Sequence, residues 1–326
     1  MAEYKGIKGF KVESLASDPS APEGQVWYNT ATNLLKYQAA PGSWASGGAM
    51  NEQRYQFAST GATQGAALAI AGAPPATLMT NVEEYDGSAW TEIADVLVGR
   101  MSANAAGTNT AALFIGGANG DLYTSVESFN GTSWTEGNNL VVKRSNEAAV
   151  GTQTAALCIS GGSPPTVTSV ESWNGTSWTE GNNVNTGRQM GLGFGTQTGA
   201  IFASGEAPPA VANVESWNGT SWTNTTDVNT IHFGGSSGGA TSTNGMVFGG
   251  KTSPPAPSTT ANTETWNGTA WTEVNNLAAA RANGGAGSIG TTSLSLMAGG
   301  SPPTSPYPTA TEEWATANTV KTVTVS

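Results

Sequence analysis

The 326-residue chain contains one cysteine and one histidine, and only 11% of its residues are charged. A single thiol, Cys158, excludes an internal disulfide framework. It lies in the apolar run 155–159 and reads as a buried, inert side chain. One histidine, His232, cannot build a His-rich metal centre. No apolar run approaches 18 residues, so no helical membrane span is expected. Sustained i, i+3, i+4, i+7 apolar spacing is missing, which leaves little room for helices. Residues 1–11 lack the apolar core of a secretory leader, and none is expected. Lys and Arg form no cluster and the net charge is −11, which argues against a nucleic-acid footprint. No Gly-x-Ser-x-Gly elbow, P-loop or Cys/His cluster occurs, so no catalytic residue, cofactor site or metal site is expected.

What the chain has in abundance is repetition. Val170-Glu171-Ser172-Trp173-Asn174-Gly175-Thr176-Ser177-Trp178-Thr179 returns almost unchanged at 214–223, and more loosely at 82–91, 126–135 and 263–272. The second Trp of each unit falls at Trp44, Trp90, Trp134, Trp178, Trp222 and Trp271. Ten residues after each stand Arg54, Arg100, Arg144, Arg188, His232 and Arg281. Those are all the arginines of the chain, with its one histidine in the remaining slot, so the register is secure. A glutamate is equally periodic: Glu83, Glu127, Glu171, Glu215, Glu264 and Glu312.

Each unit divides into four short strands. A strand of small residues follows the Arg, as at 102–106, 146–150, 191–195 and 282–289. A Gly-Thr-Gln-Thr type of turn leads to an apolar strand ending in small residues or Gly-Gly. A variable loop, usually with Pro-Pro, precedes the Val-Glu-Ser-Trp strand. An Asn-Gly or Asp-Gly turn then leads to the Ser-Trp-Thr-Glu strand. Four antiparallel strands per 44–49 residues is the size of a propeller blade. The expected fold is all-β: a six-bladed β-propeller over 49–326, preceded by an N-terminal β-hairpin module over 1–48. Residues 319–326, alternating Val with Thr or Lys, would supply the last outer strand. Seven blades, with 15–48 forming most of another, is the alternative. Order and spacing resemble the kelch repeat, in the Gly-Gly and the Trp-to-Arg interval above all. Units one (Ala71-Gly72) and four (Ser204-Gly205) lack a full Gly-Gly.

Several motifs have plainer readings. Asn130, Asn174, Asn218 and Asn267 match glycosylation sequons, yet Asp86-Gly87-Ser88 fills the same slot, and a tight turn accounts for all five. These Asn are expected to be bare. The Ser/Thr–Trp after Gly is similar to the Asp-box of sialidase propellers, but Asn stands directly before Gly here and the match fails. Galactose-oxidase-like propellers bind copper through His and Tyr, and one His cannot supply such a site. The periodic Arg and Glu are expected to pair as structural ties, with His232 a substituted tie. The Trp of the fourth strand is expected to wedge between blades.

Differences between the units therefore point to function. Pro74-Pro75, Pro164-Pro165, Pro208-Pro209, Pro254-Pro255 and Pro302-Pro303 open onto one face, together with Tyr307 and the links between blades. Variation on one face and uniformity on the other marks the first as a candidate partner surface. At the N-terminus, Ile7-Lys8-Gly9-Phe10, Glu23 to Thr30 (with Trp27 and Tyr28), Leu35-Lys36-Tyr37 and Gly42-Ser43-Trp44 resemble a short module of tailed-phage virion proteins, marine phages especially. That resemblance implies a non-enzymatic virion structural protein, assembled in the host cytoplasm and present in multiple copies per particle. Residues 1–48 would bind other virion proteins. The propeller would serve as tail-fibre, baseplate or capsid decoration, its Pro-Pro loops meeting a host receptor or glycan. Two alternatives are a sugar-binding lectin, with Trp173, Trp217 and Trp266 as exposed stacking platforms, and a cytoplasmic kelch-type interaction scaffold.

Overall fold

The computed structural model describes residues 13–16, 26–38, 42–73, 78–162, 166–252, 258–285, 289–302, 307–316 and 320–322. They form an all-β chain with six propeller blades, and no helix occurs among them. Blade three shows the pattern. Ala148–Thr152 pairs antiparallel with Ala155–Ile159, which pairs with Val170–Trp173, which pairs with Trp178–Glu180. Blades one, two, four and five repeat it over 58–93, 104–136, 192–225 and 236–274. The chain divides into two compact units, Trp44–Ala315 and a second made of Met1–Ser43 with Thr316–Ser326. This boundary lies earlier than residue 48 and gives the C-terminal segment to the N-terminal unit.

Composition follows from position in the blade. Inner strands of neighbouring blades approach closely near the axis, and small side chains permit it. A Cβ on Gly193 would lie 2.9 Å from Val150 Cγ1 and 3.1 Å from Ala148 Cβ, both on the inner strand of blade three. The apolar second strands fill the space between blades. Six buried clusters result, each shared by two adjacent blades; Leu157, Ile159, Phe202 and Trp222 belong to the one between blades three and four. Each hairpin joining strands three and four turns on a glycine: Gly175 has φ 89°. The sequon Asn does not take positive φ itself; Asn174 Oδ1 instead accepts the amides of Thr176 and Ser177, each at 2.9 Å.

Blade six corrects the sequence reading. Its outer strand is Ser43–Ser46, from the N-terminal side, in the order Leu294–Ala298, Thr311–Ala315, Ser43–Ser46. Val320–Thr322 pairs instead with Leu34–Gln38, in a sheet with Val26–Asn29 and Glu13–Leu15. Residues 13–38 thus join the N-terminal unit's own sheet rather than a seventh blade. The ring is consequently closed by non-neighbouring parts of the chain. Gly47 N–H donates to Thr311 C=O at 2.9 Å and Met50 N–H to Thr309 C=O at 2.8 Å. Trp44 stacks edge-on against Phe248 at 4.8 Å, and its Nε1–H donates to Thr263 Oγ1 at 3.0 Å. It is the wedge between blades five and six, as Trp134 is between one and two through a bond to Ala94 C=O. On the far side of blade six, Tyr85 donates to Glu313 and Trp90 Nε1–H to Thr311 Oγ1.

Because Trp44 is only half-buried, Trp44→Ala is expected to cost about 3 kcal/mol, the low end for deleting a Trp from a core. Urea unfolding of the full chain reads this out, and an unchanged midpoint would contradict closure by this strand.

Candidate functional site

The periodic charges form one clamp per blade. Arg54–Glu83, Arg100–Glu127, Arg144–Glu171, Arg188–Glu215 and His232–Glu264 approach to 2.5, 2.9, 2.5, 2.7 and 3.2 Å, and Arg281 pairs with Glu312. Every one of these side chains is buried. Each carboxylate also receives amide hydrogens from the link entering its blade: Glu127 accepts from Leu97 and Val98 at 2.7 and 3.3 Å, Glu171 from Val141 and Val142 at 2.7 and 3.0 Å. The guanidinium groups bond carbonyls at the ends of strands as well, as Arg188 does to Phe202 at 2.8 Å while lying 4.0 Å over its ring. Burial pulls Arg54, Arg100, Arg188 and Arg281 below their usual range, and the partner carboxylates oppose it. In blade five, His232 Nδ1 faces Gly249 C=O at 2.7 Å and Nε2 faces Glu264. An imidazolium satisfies both acceptors at once. Burial raises the Glu264 carboxyl, but the bond from His232 and the amides of Asn229 and Thr230 take it below the usual carboxylate range.

Two residues past each Arg or His the backbone turns left-handed. Gln56, Ser102, Asn146, Met190, Gly234 and Asn283 have φ of 51, 56, 54, 54, 64 and 54°. Their amides form a circle around the axis. Ser102 donates to Gln56 C=O at 2.8 Å, Asn146 to Ser102 at 2.7, Met190 to Asn146 at 2.8, Gly234 to Met190 at 2.9, Asn283 to Gly234 at 2.6 and Gln56 to Asn283 at 2.8. The circle has no free end, and each bond polarises the next. Non-glycine residues in this region are strained by roughly 1 kcal/mol each, which the circle offsets. The sequence reading placed 102–103 and 146–147 inside strands; those strands begin two residues later, at Asn104 and Ala148. A fixed offset from the Arg was the available signal.

Beneath this circle the axis holds a cavity of about 40 Å3, walled in part by Ser102, Asn104, Asn146 and Glu147. A second recess of about 210 Å3, among Gly107, Gly151, Gly195 and their neighbouring Thr residues, opens at the opposite end. The first has room for a few waters, and both fall short of the roughly 300 Å3 of a small-molecule pocket. A shallow groove of about 470 Å3 on the rim, between blades three and four, is larger. Its Gln197 and Asn182 are already committed, to Ser172 Oγ at 2.9 Å and Thr220 C=O at 2.6 Å.

The tryptophans do not serve as platforms. Trp173, Trp217 and Trp266 are 6, 7 and 2% exposed, lying between blades, so stacking of sugars on them is overturned. They fill the wedge with Trp178, Trp222 and Trp271, at ring distances of 5.2, 5.2 and 5.1 Å.

On the link face, Pro208 and Pro209 are exposed in a loop bracketed by the Glu206–Ala210 bridge. Pro302 is half-exposed, and Tyr307 stacks on Tyr55 at 4.7 Å. Pro74, Pro75, Pro164, Pro165, Pro254, Pro255 and Pro303 lie outside the described residues. In the N-terminal unit Trp27 and Tyr28 sit on the strand Val26–Asn29, and Tyr28 donates to Asn33 Oδ1 at 3.3 Å. A feature missed from sequence is a sector around blade two. Its loop is a small hairpin, Ala118–Asn119 with Asp121–Leu122. Asn119 donates to Gly99 C=O on one link, and Tyr123 C=O accepts from Arg144 on the next. Those two links carry Leu97, Val98 and Val141, at 57, 38 and 59% exposure the large exposed apolar side chains among the described residues. At the matching position Asn51 and Asn229 bond the outer strand and the clamp carboxylate instead.

No protein-family model and no curated protein matches the sequence. Among solved structures, that of YjhT superposes with a TM-score of 0.68 at 15% identity, covering 81% of this chain and 95% of that one. This likeness is one of fold: the chain carries a six-bladed β-propeller. With 248 solved chains matching in shape, the fold by itself selects no activity.

Arg188→Met leaves Glu215 buried and short of its cation. It is expected to cost about 3–5 kcal/mol, and Arg188→His, copying blade five, less than that. Urea unfolding of the three chains at slightly acid pH tests this ranking; equal loss in both variants would refute it.

Proposed function

We propose that the chain is a non-enzymatic structural protein of a tailed-phage particle, held to other virion proteins through residues 1–48 and displaying the kelch-like propeller outward. One observation carries the reading. The ionic and aromatic residues of the repeat are spent inside the blades, while among the described residues that differ between blades Leu97, Val141, Pro208 and Pro209 are exposed on the link face. The resemblance of the N-terminal segment to virion modules supports the attachment, and the folding of its described residues into a separate compact unit accords with it. Contact with a partner falls on the link face, at the Pro208-Pro209 loop and the blade-two sector. There Leu97 and Val141 forgo the bonds that Asn makes elsewhere and present apolar surface to a partner. Lys143 is exposed two residues from Val141 on a chain of net charge −11, which suits an acidic, apolar protein partner.

A deletion that tests attachment must stop before Ser43, because Ser43–Ser46 belongs to blade six. A chain lacking residues 1–41 is expected to keep its propeller, read by near-UV circular dichroism, and to be missing from purified particles. Its retention on particles would refute attachment through this module. Leu97→Asn with Val141→Asn is expected to leave the unfolding midpoint unchanged or higher, while particle adsorption to host cells falls at least about tenfold, the loss of one weak hot spot. Unchanged adsorption would move the contact elsewhere.

A further inference from the structure

The first residue after each second strand, at the seam with the next blade, is also left-handed. Ala71, Gly116, Ser160, Ser204, Gly249 and Gly299 have φ between 53 and 64°. Between blades three and four the Ser160 hydroxyl occupies the seam. Its oxygen lies 2.8 Å from Arg188 C=O and 2.6 Å from Val167 C=O, either of which can take its one proton, and it accepts Arg188 N–H at 2.9 Å. Between blades four and five Ser204 does similar work, donating to Val211 C=O at 3.1 Å and accepting His232 N–H at 2.8 Å. Three residues past the clamp Arg or His of these seams stand Gly191 and Gly235.

Between blades two and three the two residue types are exchanged. The strand is followed by Gly116, and the facing position carries Glu147. A Cβ on Gly116 would lie 2.6 Å from Glu147 Oε1 and 2.9 Å from Arg144 C=O. The carboxyl therefore fills the space that a side chain at position 116 would need, on the side of the Arg144 carbonyl, the equivalent of that of Arg188. Glu147 is 2% exposed, and neither of its oxygens has a hydrogen-bond partner of normal geometry, although its own amide and that of Asn104 pull on it. The Arg144 amide, whose counterpart serves Ser160, is taken by Tyr123 C=O. An ionised carboxylate accepts only, so only the acid form can bond a carbonyl.

We propose that Glu147 is held as the neutral carboxylic acid and donates its proton to the Arg144 carbonyl, replacing at the seam of blades two and three the hydroxyl of the next two seams and making that seam sensitive to pH. The surrounding charges agree. Arg144 and Arg100 are the cations nearby, and each is committed to its own glutamate, Glu171 and Glu127. The Cys158 thiol, also facing the group, is pushed well up by burial and stays neutral. Burial drives the Glu147 carboxyl up to about 8, against the pull of its own backbone amide, Arg144, Arg100 and the Asn104 amide. With the folded value above the unfolded one, the folded state binds the proton more tightly. The stabilisation is complete below the unfolded carboxyl value near 4.5, is lost progressively as pH rises to about 8, and is gone above that.

Glu147→Gln keeps the shape and a donor but cannot ionise. Unfolding of the full-length wild type and variant is compared from pH 5 to 9.5. The wild-type folding constant is expected to fall against the variant's by about tenfold per pH unit up to roughly pH 8, then to level. Parallel profiles, or a ratio that rises with pH, would overturn the proposal, since either means a carboxylate ionised in the fold. So would stabilisation by sodium or potassium chloride over choline chloride that the variant lacks, which means a cation bridges the two oxygens. Should the variant not fold, infrared difference spectra of wild type between pH 7 and 9.5 decide. A protonated carboxyl band lost on alkalinisation supports the neutral acid, and its absence at pH 7 overturns it.

Discussion

One buried carboxylate per blade organises this propeller. A glutamate early in the third strand holds a guanidinium or imidazole of its own blade and the amides of the link arriving from the previous one. Taking such charges out of water is costly unless every lone pair and proton is used, and here the carboxylate oxygens are shared between cation and backbone. The link can then follow one path only, across the face and down to the axis. Two residues further on, the chain takes the left-handed turn that joins the axial circle. Charge pairing, link path and central closure are thus one construction repeated six times.

This construction leaves the repeat little free chemistry. Arginines, glutamates and paired aromatics are turned inward, where they hold blades together. Among the described residues, what varies lies outside: the Pro208-Pro209 loop, the link residues Leu97 and Val141, and a hairpin in blade two. Where Asn51 or Asn229 ties a link to the outer strand, Leu97 spends the same position on solvent-facing apolar surface. A shape shared by many solved chains cannot distinguish among their roles, and such local departures can.

Much of the fold was legible because the period is strict. Trp178, Arg188 and Glu215 recur at fixed intervals, so blade count and clamp could be read by counting. Closure could not, because a short alternating segment such as 320–322 fits any open sheet edge, and its partner is chosen by tertiary placement rather than by its own residues. The neighbouring Gly-Ser-Trp44 was visible as an echo of the repeat, yet its assignment to blade six required knowing where the chain returns. The aromatic pair Trp173–Trp178 read equally as platform or wedge until burial decided it. Glu147 was hidden inside a run of small residues taken for a strand, and its neighbours across the seam come from another blade.

Hydrogen exchange of the six axial amides tests the closed ring most directly. If the circle is continuous, Gln56, Ser102, Asn146, Met190, Gly234 and Asn283 exchange together, at the slow rate of global unfolding. Fast exchange of Gln56, whose amide donates to Asn283 C=O, with the other five protected, would mean that the ring opens between blades six and one and that closure at this seam is not built in.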